Sequence, residues 1–242
     1  MGKLTGKVAL VTGGSRGIGR AIALAYAREG AKIFICALRE QELKATADEI
    51  RASGGETGWT VADISKTRDV KRLIREVRHV YGAIHVLVNN ASILGPRETI
   101  VRYPLSAWEE VVRVNLTALF AVTKEALGMM IPQKEGSIIN LSSGVGKAGK
   151  ARWGAYAASK FGVEGFTQVL ADEMKEWNIR VNAVNPGGTR TEMRAEAYPQ
   201  EDPLTLPAAG EITGVFVYLA SPESEGVTGK SFEARDWLSS KQ

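Results

Sequence analysis

Val8-Ala9-Leu10-Val11-Thr12-Gly13-Gly14-Ser15-Arg16-Gly17-Ile18-Gly19 decides how the rest of the chain is read. An apolar run of strand type is followed at once by a glycine-rich turn, and a helical pattern starts near Arg16. Glycine suits such a turn because the backbone must bend sharply and come close to a pyrophosphate. The helix N-terminus then offers N–H groups and partial positive charge to that anion. A tight turn alone would also use glycines. The strand before it, the helix after it and its place in the first structural unit favour nucleotide binding.

Working outward, short apolar runs alternate with longer helical patterns along the whole chain. Strands are predicted over residues 7–11, 32–37, 56–61, 84–89, 136–141 and 180–184 and near 230–233, with further helices starting near Glu40, Thr67, Ser106, Ala155 and Ala208. Runs such as Lys32-Ile33-Phe34-Ile35-Cys36-Ala37 lack polar alternation, as expected of strands buried on both faces. The fold class is α/β, a Rossmann-type doubly wound parallel sheet of about seven strands with helices on both faces. No repeat or linker divides the chain, so residues 1–242 are expected to form a single domain with the substrate site in its C-terminal half. Pro199, Pro203 and Pro207 mark a surface loop.

Composition excludes several functions. Lys and Arg outnumber Asp and Glu by 31 to 27, and the excess is scattered, which argues against nucleic acid as a partner. A single cysteine, Cys36, permits no internal disulfide. His79 and His85 lack ligands at metal spacing, so no metal is expected. The N-terminus shows no signal-peptide pattern, and no apolar stretch was expected to approach the roughly 20 residues that span a bilayer. These features predict a cytoplasmic protein without a membrane partner.

Proton-transfer chemistry is legible further along. Tyr156 and Lys160, four residues apart, fall on one face of a helix, and a nearby ammonium is expected to lower a phenol's pKa from about 10. Ser142 and Ser143 follow the fifth strand at its C-terminal end, where such sheets place their ligands, and either could donate to a substrate oxygen.

The glycine spacing Gly13-x3-Gly17-x-Gly19 resembles the TGxxxGxG motif of the short-chain dehydrogenase/reductase family, and within it the 3-oxoacyl carrier-protein reductases. Asp63, Asn89-Asn90-Ala91, Asn115, Ser143, Tyr156, Lys160 and Pro186-Gly187 follow in the family's order across nearly the whole chain. The resemblance implies a hydride transfer between nicotinamide and a carbonyl or secondary alcohol carbon. It selects Ser143 over Ser142 and makes Asn115, Ser143, Tyr156 and Lys160 the catalytic set, with Asn115 holding a water in a proton relay. It also implies that Tyr156 and Lys160 touch the cofactor, Lys160 through the nicotinamide ribose. Gly13, Ser15, Arg16, Gly17, Ile18 and Gly19 would cradle the pyrophosphate end, and Asp63 and Ile64 would flank the adenine. Asn89 and Ala91 would line the groove, and Pro186, Gly187, Thr189 and Thr191 would meet the carboxamide.

Charge distinguishes the cofactors. No acid stands at the end of the second strand, which reads Cys36-Ala37-Leu38-Arg39, and Arg16 and Arg39 could both reach a 2′-phosphate; NADP is expected and NAD less so. Two departures from the family are Ser92, where Asn-Asn-Ala is usually followed by glycine, and the C-terminal Phe232-Glu233-Ala234-Arg235-Asp236-Trp237. Gly144, Val145, Trp153 and Met193 are expected to border a pocket without a long lid, with Trp153 admitting an apolar or aromatic guest. The partner is then a small carbonyl or alcohol, 3-oxoacyl thioesters among them, and the family implies a homotetramer or homodimer. A non-catalytic NADP-binding sensor or subunit is the competing reading, and a dehydratase or epimerase a third.

Overall fold

The computed structural model describes residues 2–238. Seven parallel strands form one sheet in the order β3-β2-β1-β4-β5-β6-β7. They are β1 (Val8–Thr12), β2 (Lys32–Ala37), β3 (Thr57–Val61), β4 (Val86–Asn89), β5 (Gly136–Leu141), β6 (Ile179–Asn185) and β7 (Ser231–Glu233). The helices are α1 (Gly17–Arg28), α2 (Glu40–Ala52), α3 (Thr67–Tyr81), α4 (Leu105–Val112), α5 (Ala118–Gln133), α6 (Gly154–Glu173), α7 (Glu192–Ala197) and α8 (Gly214–Ala220). The strand order reverses between β1 and β4, and there the connections leave to opposite faces and open a crevice at the carboxyl ends.

Pleating explains the unbroken apolar strands. In β1 and β2, Ala9, Val11, Ile33 and Ile35 join Ile22 and Tyr26 of α1 and Phe216 and Leu219 of α8 in one core. Val8, Leu10, Phe34 and Cys36 face the other way, onto Leu73, Val77, Val122, Met130 and Leu170 of α3, α5 and α6. Successive residues thus feed two different cores, and neither face tolerates a polar alternation.

Three elements differ from the expectation. The helix near Ser106 is continuous from Leu105 to Gln133, 29 residues long, and by length and composition it could cross a membrane, contrary to the sequence reading. Here Val122, Ala126, Met129 and Met130 bury it against the sheet. The helix placed near Ala208 begins instead at Gly214. Pro207 and Ala208 are held as in a strand, with Arg190 N donating to Pro207 O and Ala208 bridging Arg190, and residues 209–212 then form a turn before the helix. Helix α7 was not predicted, yet Thr191 caps it by accepting from Arg194 N at 3.2 Å and Glu192 follows in its first turn, a start signal readable in the sequence.

Behind the crevice, Asn89 Nδ2 donates to Asn140 Oδ1 at 2.8 Å and to Thr123 Oγ1 at 2.9 Å, while Asn140 Nδ2 donates to Thr167 Oγ1 at 3.0 Å. This network locks β4 and β5 to α5 and α6 inside the core. Asn140→Ala strands the donor of Asn89, so about 2 kcal/mol of stability should be lost, and Tm should fall by roughly 4–8 °C in calorimetry.

Candidate functional site

The glycine loop is tied to the end of β4. Thr12 Oγ1 accepts from Asn90 N and Ala91 N, each at 3.1 Å, and Asn90 Nδ2 donates to Thr12 O at 2.9 Å and Gly13 O at 3.1 Å. Gly13 and Gly17 take φ of 64° and 54°, which side chains rarely adopt, and a Cβ on Gly19 would overlap Gly13 O and Asn90 Nδ2. Only glycine fits this close approach, and α1 starts directly beyond it with no acid in its first turn. A backbone cradle followed by an unopposed helix N-terminus matches a pyrophosphate in shape and charge.

Side chains around the cradle are less free than the sequence suggests. Ser15 Oγ donates to Glu42 at 3.0 Å, Arg39 pairs with Glu42 at 2.7 Å, and Arg16 pairs with Glu192 of α7. Both pairs are largely exposed, and such pairs contribute only about 0–1 kcal/mol, so a doubly charged phosphate can displace them. Asp63 accepts from Ser65 N at 3.1 Å and from Ser65 Oγ at 2.7 Å, while Ile64 is buried in the core. The Asn89 side chain is spent on the buried network described above, and Ala91 is positioned through its backbone. Ser92 is not among the residues with positive φ, so a side chain there brings no left-handed strain.

Across the crevice, Ser143, Tyr156 and Lys160 come together beside the end of β5. Ser143 shares a hydrogen bond with Tyr156, whereas Ser142 is turned inward with its Oγ unpartnered, so the geometry separates the two serines. Burial pushes the Tyr156 phenol up to about 12, the Ser143 bond acting in the opposite direction, and burial pushes the Lys160 ammonium down to about 8. The expected lowering of the phenol by Lys160 is not found. Its Nζ lies 5.6 Å from the Tyr156 ring centre and donates to Leu141 O at 2.7 Å, so desolvation outweighs the pairing.

Asn115 sits in a five-residue π-helical turn, Arg113–Thr117, between α4 and α5. Its side chain accepts from Ile93 N at 2.8 Å and donates to Ile93 O at 2.9 Å and Ser159 Oγ at 3.2 Å. That holds the loop after β4 against α6. Such a turn shifts the hydrogen-bond register of the helix, which frees backbone carbonyls there rather than the amide side chain.

The segment after β6 closes the site. Thr189 Oγ1 donates to Pro186 O at 3.1 Å, Gly187 N donates to Asn185 Oδ1 at 3.0 Å, and Gly188 O accepts from Arg235. Thr191 lies next to Gly17, so the start of α7 reaches the glycine loop. The six-residue helix α7 thereby forms a short lid, which agrees with the expectation of no long one. Val145, Trp153, Met193 and Tyr198 pack with Tyr156 in one cluster beyond Gly144. Trp153 is only 8% exposed and its ring is flanked by Tyr156, Tyr198 and the Arg97 guanidinium, so it serves as a wall rather than an open apolar platform. Sequence reasoning missed Asn90, Arg97, Tyr198 and Arg235. Asn90 could have been noticed beside Asn89, but nothing local signals the other three, which reach the site only through the fold.

Residues 7–202 match the family model described as short chain dehydrogenase. The chain is 37% identical to the uncharacterized oxidoreductase YciK of Escherichia coli over 235 residues, covering 96% of this chain and 93% of that one. It is 38% identical to the 3-oxoacyl-[acyl-carrier-protein] reductase FabG of Thermotoga maritima over 237 residues, covering 94% and 96%. Among solved structures, a short chain dehydrogenase of Shigella flexneri complexed with NADP superposes with a TM-score of 0.93 at 37% identity, covering 96% of this chain and 98% of that one. Another, of Escherichia coli CFT073 and complexed with NADPH, gives the same TM-score at 38% identity with the same coverage. With a parallel sheet in this order, a glycine cradle at its switch point and relatives aligned end to end, the chain belongs to the short-chain dehydrogenase family.

Proposed function

We propose that this protein is an NADP(H)-dependent oxidoreductase that interconverts a carbonyl and a secondary alcohol, working as a reductase. The observation that carries this reading is the grouping of Tyr156, Ser143 and Lys160 beside the end of β5, with the buried phenol pushed up to about 12 and so protonated at neutral pH. When bound, the nicotinamide supplies the hydride. Ser143 Oγ orients the substrate oxygen, and Tyr156 Oη gives it a proton as negative charge builds there. Lys160, cationic below about pH 8, stabilises that charge and holds the nicotinamide ribose. Asn115 positions the loop through its side chain, and its backbone in the π-helical turn is the place for the relayed water.

NADP over NAD rests on Arg16 and Arg39, on the missing acid after β2, and on the relatives solved with NADP and NADPH. The remaining cofactor contacts are assigned to Gly13, Ser15, Gly17, Ile18, Gly19, Asp63, Ile64, Asn89, Ala91, Pro186, Gly187, Thr189 and Thr191. Similarity to FabG proteins makes 3-oxoacyl thioesters one substrate class to assay. Phe120 and Phe161 leave about half their surface exposed on α5 and α6, as does Val169, which supports packing of these helices across a two-fold axis in a dimer or tetramer. The whole chain is read as one domain, and its single buried thiol, Cys36, fits a cytoplasmic setting.

The deciding test follows NADPH oxidation across a panel of carbonyls that includes acetoacetyl-CoA. Tyr156→Phe should lower kcat by at least about a hundredfold with little change in NADPH affinity, because only the proton donor is removed. Tight NADPH binding with no turnover of any carbonyl would favour the binding-module reading instead.

Reduction should be level below about pH 8 and fall above it, as Lys160 loses its proton. Glu164 opposes the effect of burial on Lys160, so Glu164→Gln should move the falling limb to lower pH, and a profile flat across pH 7–10 would contradict the assignment.

Replacing Arg16 with Ala should weaken NADPH binding by about tenfold or more while leaving NADH binding nearly unaltered, since only NADPH carries the 2′-phosphate. Equal losses for both cofactors, measured by fluorescence titration, would place Arg16 elsewhere.

A further inference from the structure

Four buried side-chain polar atoms make no hydrogen bond among the described residues: Arg97 Nε, Tyr103 OH, Ser142 Oγ and Trp153 Nε1. Ser142 adjoins Ser143, and Trp153 and Tyr103 pack in the same cluster as Tyr156. A buried donor left unpaired is costly, so several of them close together call for a partner. Two of the four, Arg97 Nε and Trp153 Nε1, can only donate.

Arg97 is the charged member of this wall. Its guanidinium lies 4.7 Å from the Trp153 ring centre and 4.9 Å from that of Tyr198, and Trp153 in turn lies 5.6 Å from the Tyr156 ring centre. One nitrogen, Nη1, donates to Ala197 O, the last residue of α7. No carboxylate pairs with it among the described residues, unlike Arg16, Arg39 and Arg194, which pair with Glu192, Glu42 and Glu201. The surroundings add positive charge: the Tyr198 ring also carries Lys150 Nζ at 5.3 Å and the Arg194 guanidinium at 3.9 Å. The guanidinium sits over two rings that themselves adjoin, Trp153 and Tyr198 lying 5.9 Å apart, and its Nε–H makes no hydrogen bond among the described residues.

We infer that Arg97 is a specificity-determining residue that receives a carboxylate on the substrate, so that the preferred substrates are oxo acids whose anion lies several bonds from the reacting carbonyl. This rests on the reductase reading above. Trp153 touches both Arg97 and Tyr156, so a substrate that spans this ring carries its anion away from the reacting carbonyl. An uncharged apolar substrate would cover the cation and its neighbours without giving them an acceptor, which disfavours that class. Arg97 would act through binding, not through the proton transfer.

The test uses the full-length enzyme with NADPH and two matched pairs. One is 5-oxohexanoate against its methyl ester; the other is acetoacetyl-CoA against the neutral acetoacetyl-N-acetylcysteamine thioester. The expected result is a preference for the acid over its ester of about tenfold or more in kcat/KM, expressed mainly in KM. Arg97→Met should narrow that ratio to about twofold, and Arg97→Lys should restore part of it. If Arg97 merely clasps α7, both members of the pair fall together and the ratio stands, which overturns the proposal. An ester used as well as the acid overturns it too. So does a preference confined to the CoA thioester, which would put the anion on a carrier. If no carbonyl is turned over, the reductase reading fails separately, and calorimetry of 5-oxohexanoate with the NADPH complex decides. Binding lost in Arg97→Met supports the carboxylate site, and binding absent or insensitive to that change overturns it.

Discussion

Asn90 Nδ2 reaches from the end of β4 to the carbonyls of Thr12 and Gly13, and this one side chain holds the two halves of the sheet at the spacing the crevice needs. It works only because Gly13 and Gly19 have no Cβ; with one, the α1 backbone could not come so close to the loop. Thr12 completes the join by accepting from two backbone N–H groups after β4. The position of α1, the turn of the cradle and the start of the loop toward Asn115 all follow from this contact. It uses hydrogen bonds where a parallel sheet has its topological break, the place where packing alone leaves most freedom.

A second polar layer lies beneath it. Asn89, Asn140, Thr123 and Thr167 are buried and satisfied by one another, so their cost of burial is offset and they fix the relative rotation of α5 and α6. Asn115 stands just before α5, and Tyr156 and Lys160 lie in the first turns of α6, where Asn115 bonds Ser159 directly. The π-helical turn lets Asn115 bond the Ile93 backbone in both directions while the helix continues without a break into α5. Rigidity in the core is thereby passed to Asn115, Tyr156 and Lys160, which are held together on adjoining helices.

Electrostatics then assigns the roles. Tyr156 and Lys160 are both removed from water, which raises one and lowers the other, so near neutrality the phenol keeps its proton and the lysine stays cationic. The mouth of the site is basic, with Arg97, Lys150 and Arg194 gathered on Tyr198 and only Glu201 paired among them. Arg16 and Arg39 beside the glycine loop differ in kind: they are exposed and already paired, and so can exchange partners cheaply. The lid helix α7 meets both regions, through Glu192 at the glycine loop and through Ala197 at Arg97.

Local sequence was sufficient for the strands, the glycine cradle and the pair Tyr156 and Lys160, because each depends on short-range periodicity, on backbone sterics or on spacing along one helix. The choice of Ser143 over Ser142 needed a family pattern, because two adjacent serines look alike in sequence and only the fold shows Ser142 Oγ buried without a partner. The helix start at Gly214 was misplaced because long-range pairing of Arg190 with Ala208 overrode local helix preference. The phenol's pKa was misjudged for the same kind of reason: burial is a property of the packed molecule, whereas a neighbour at i+4 is a property of the sequence. Arg97, Tyr198 and Arg235 lie far apart in the chain, and which ring or carbonyl each one meets was decided only by the tertiary structure, because the sheet order and α7 bring together segments that have no local relation.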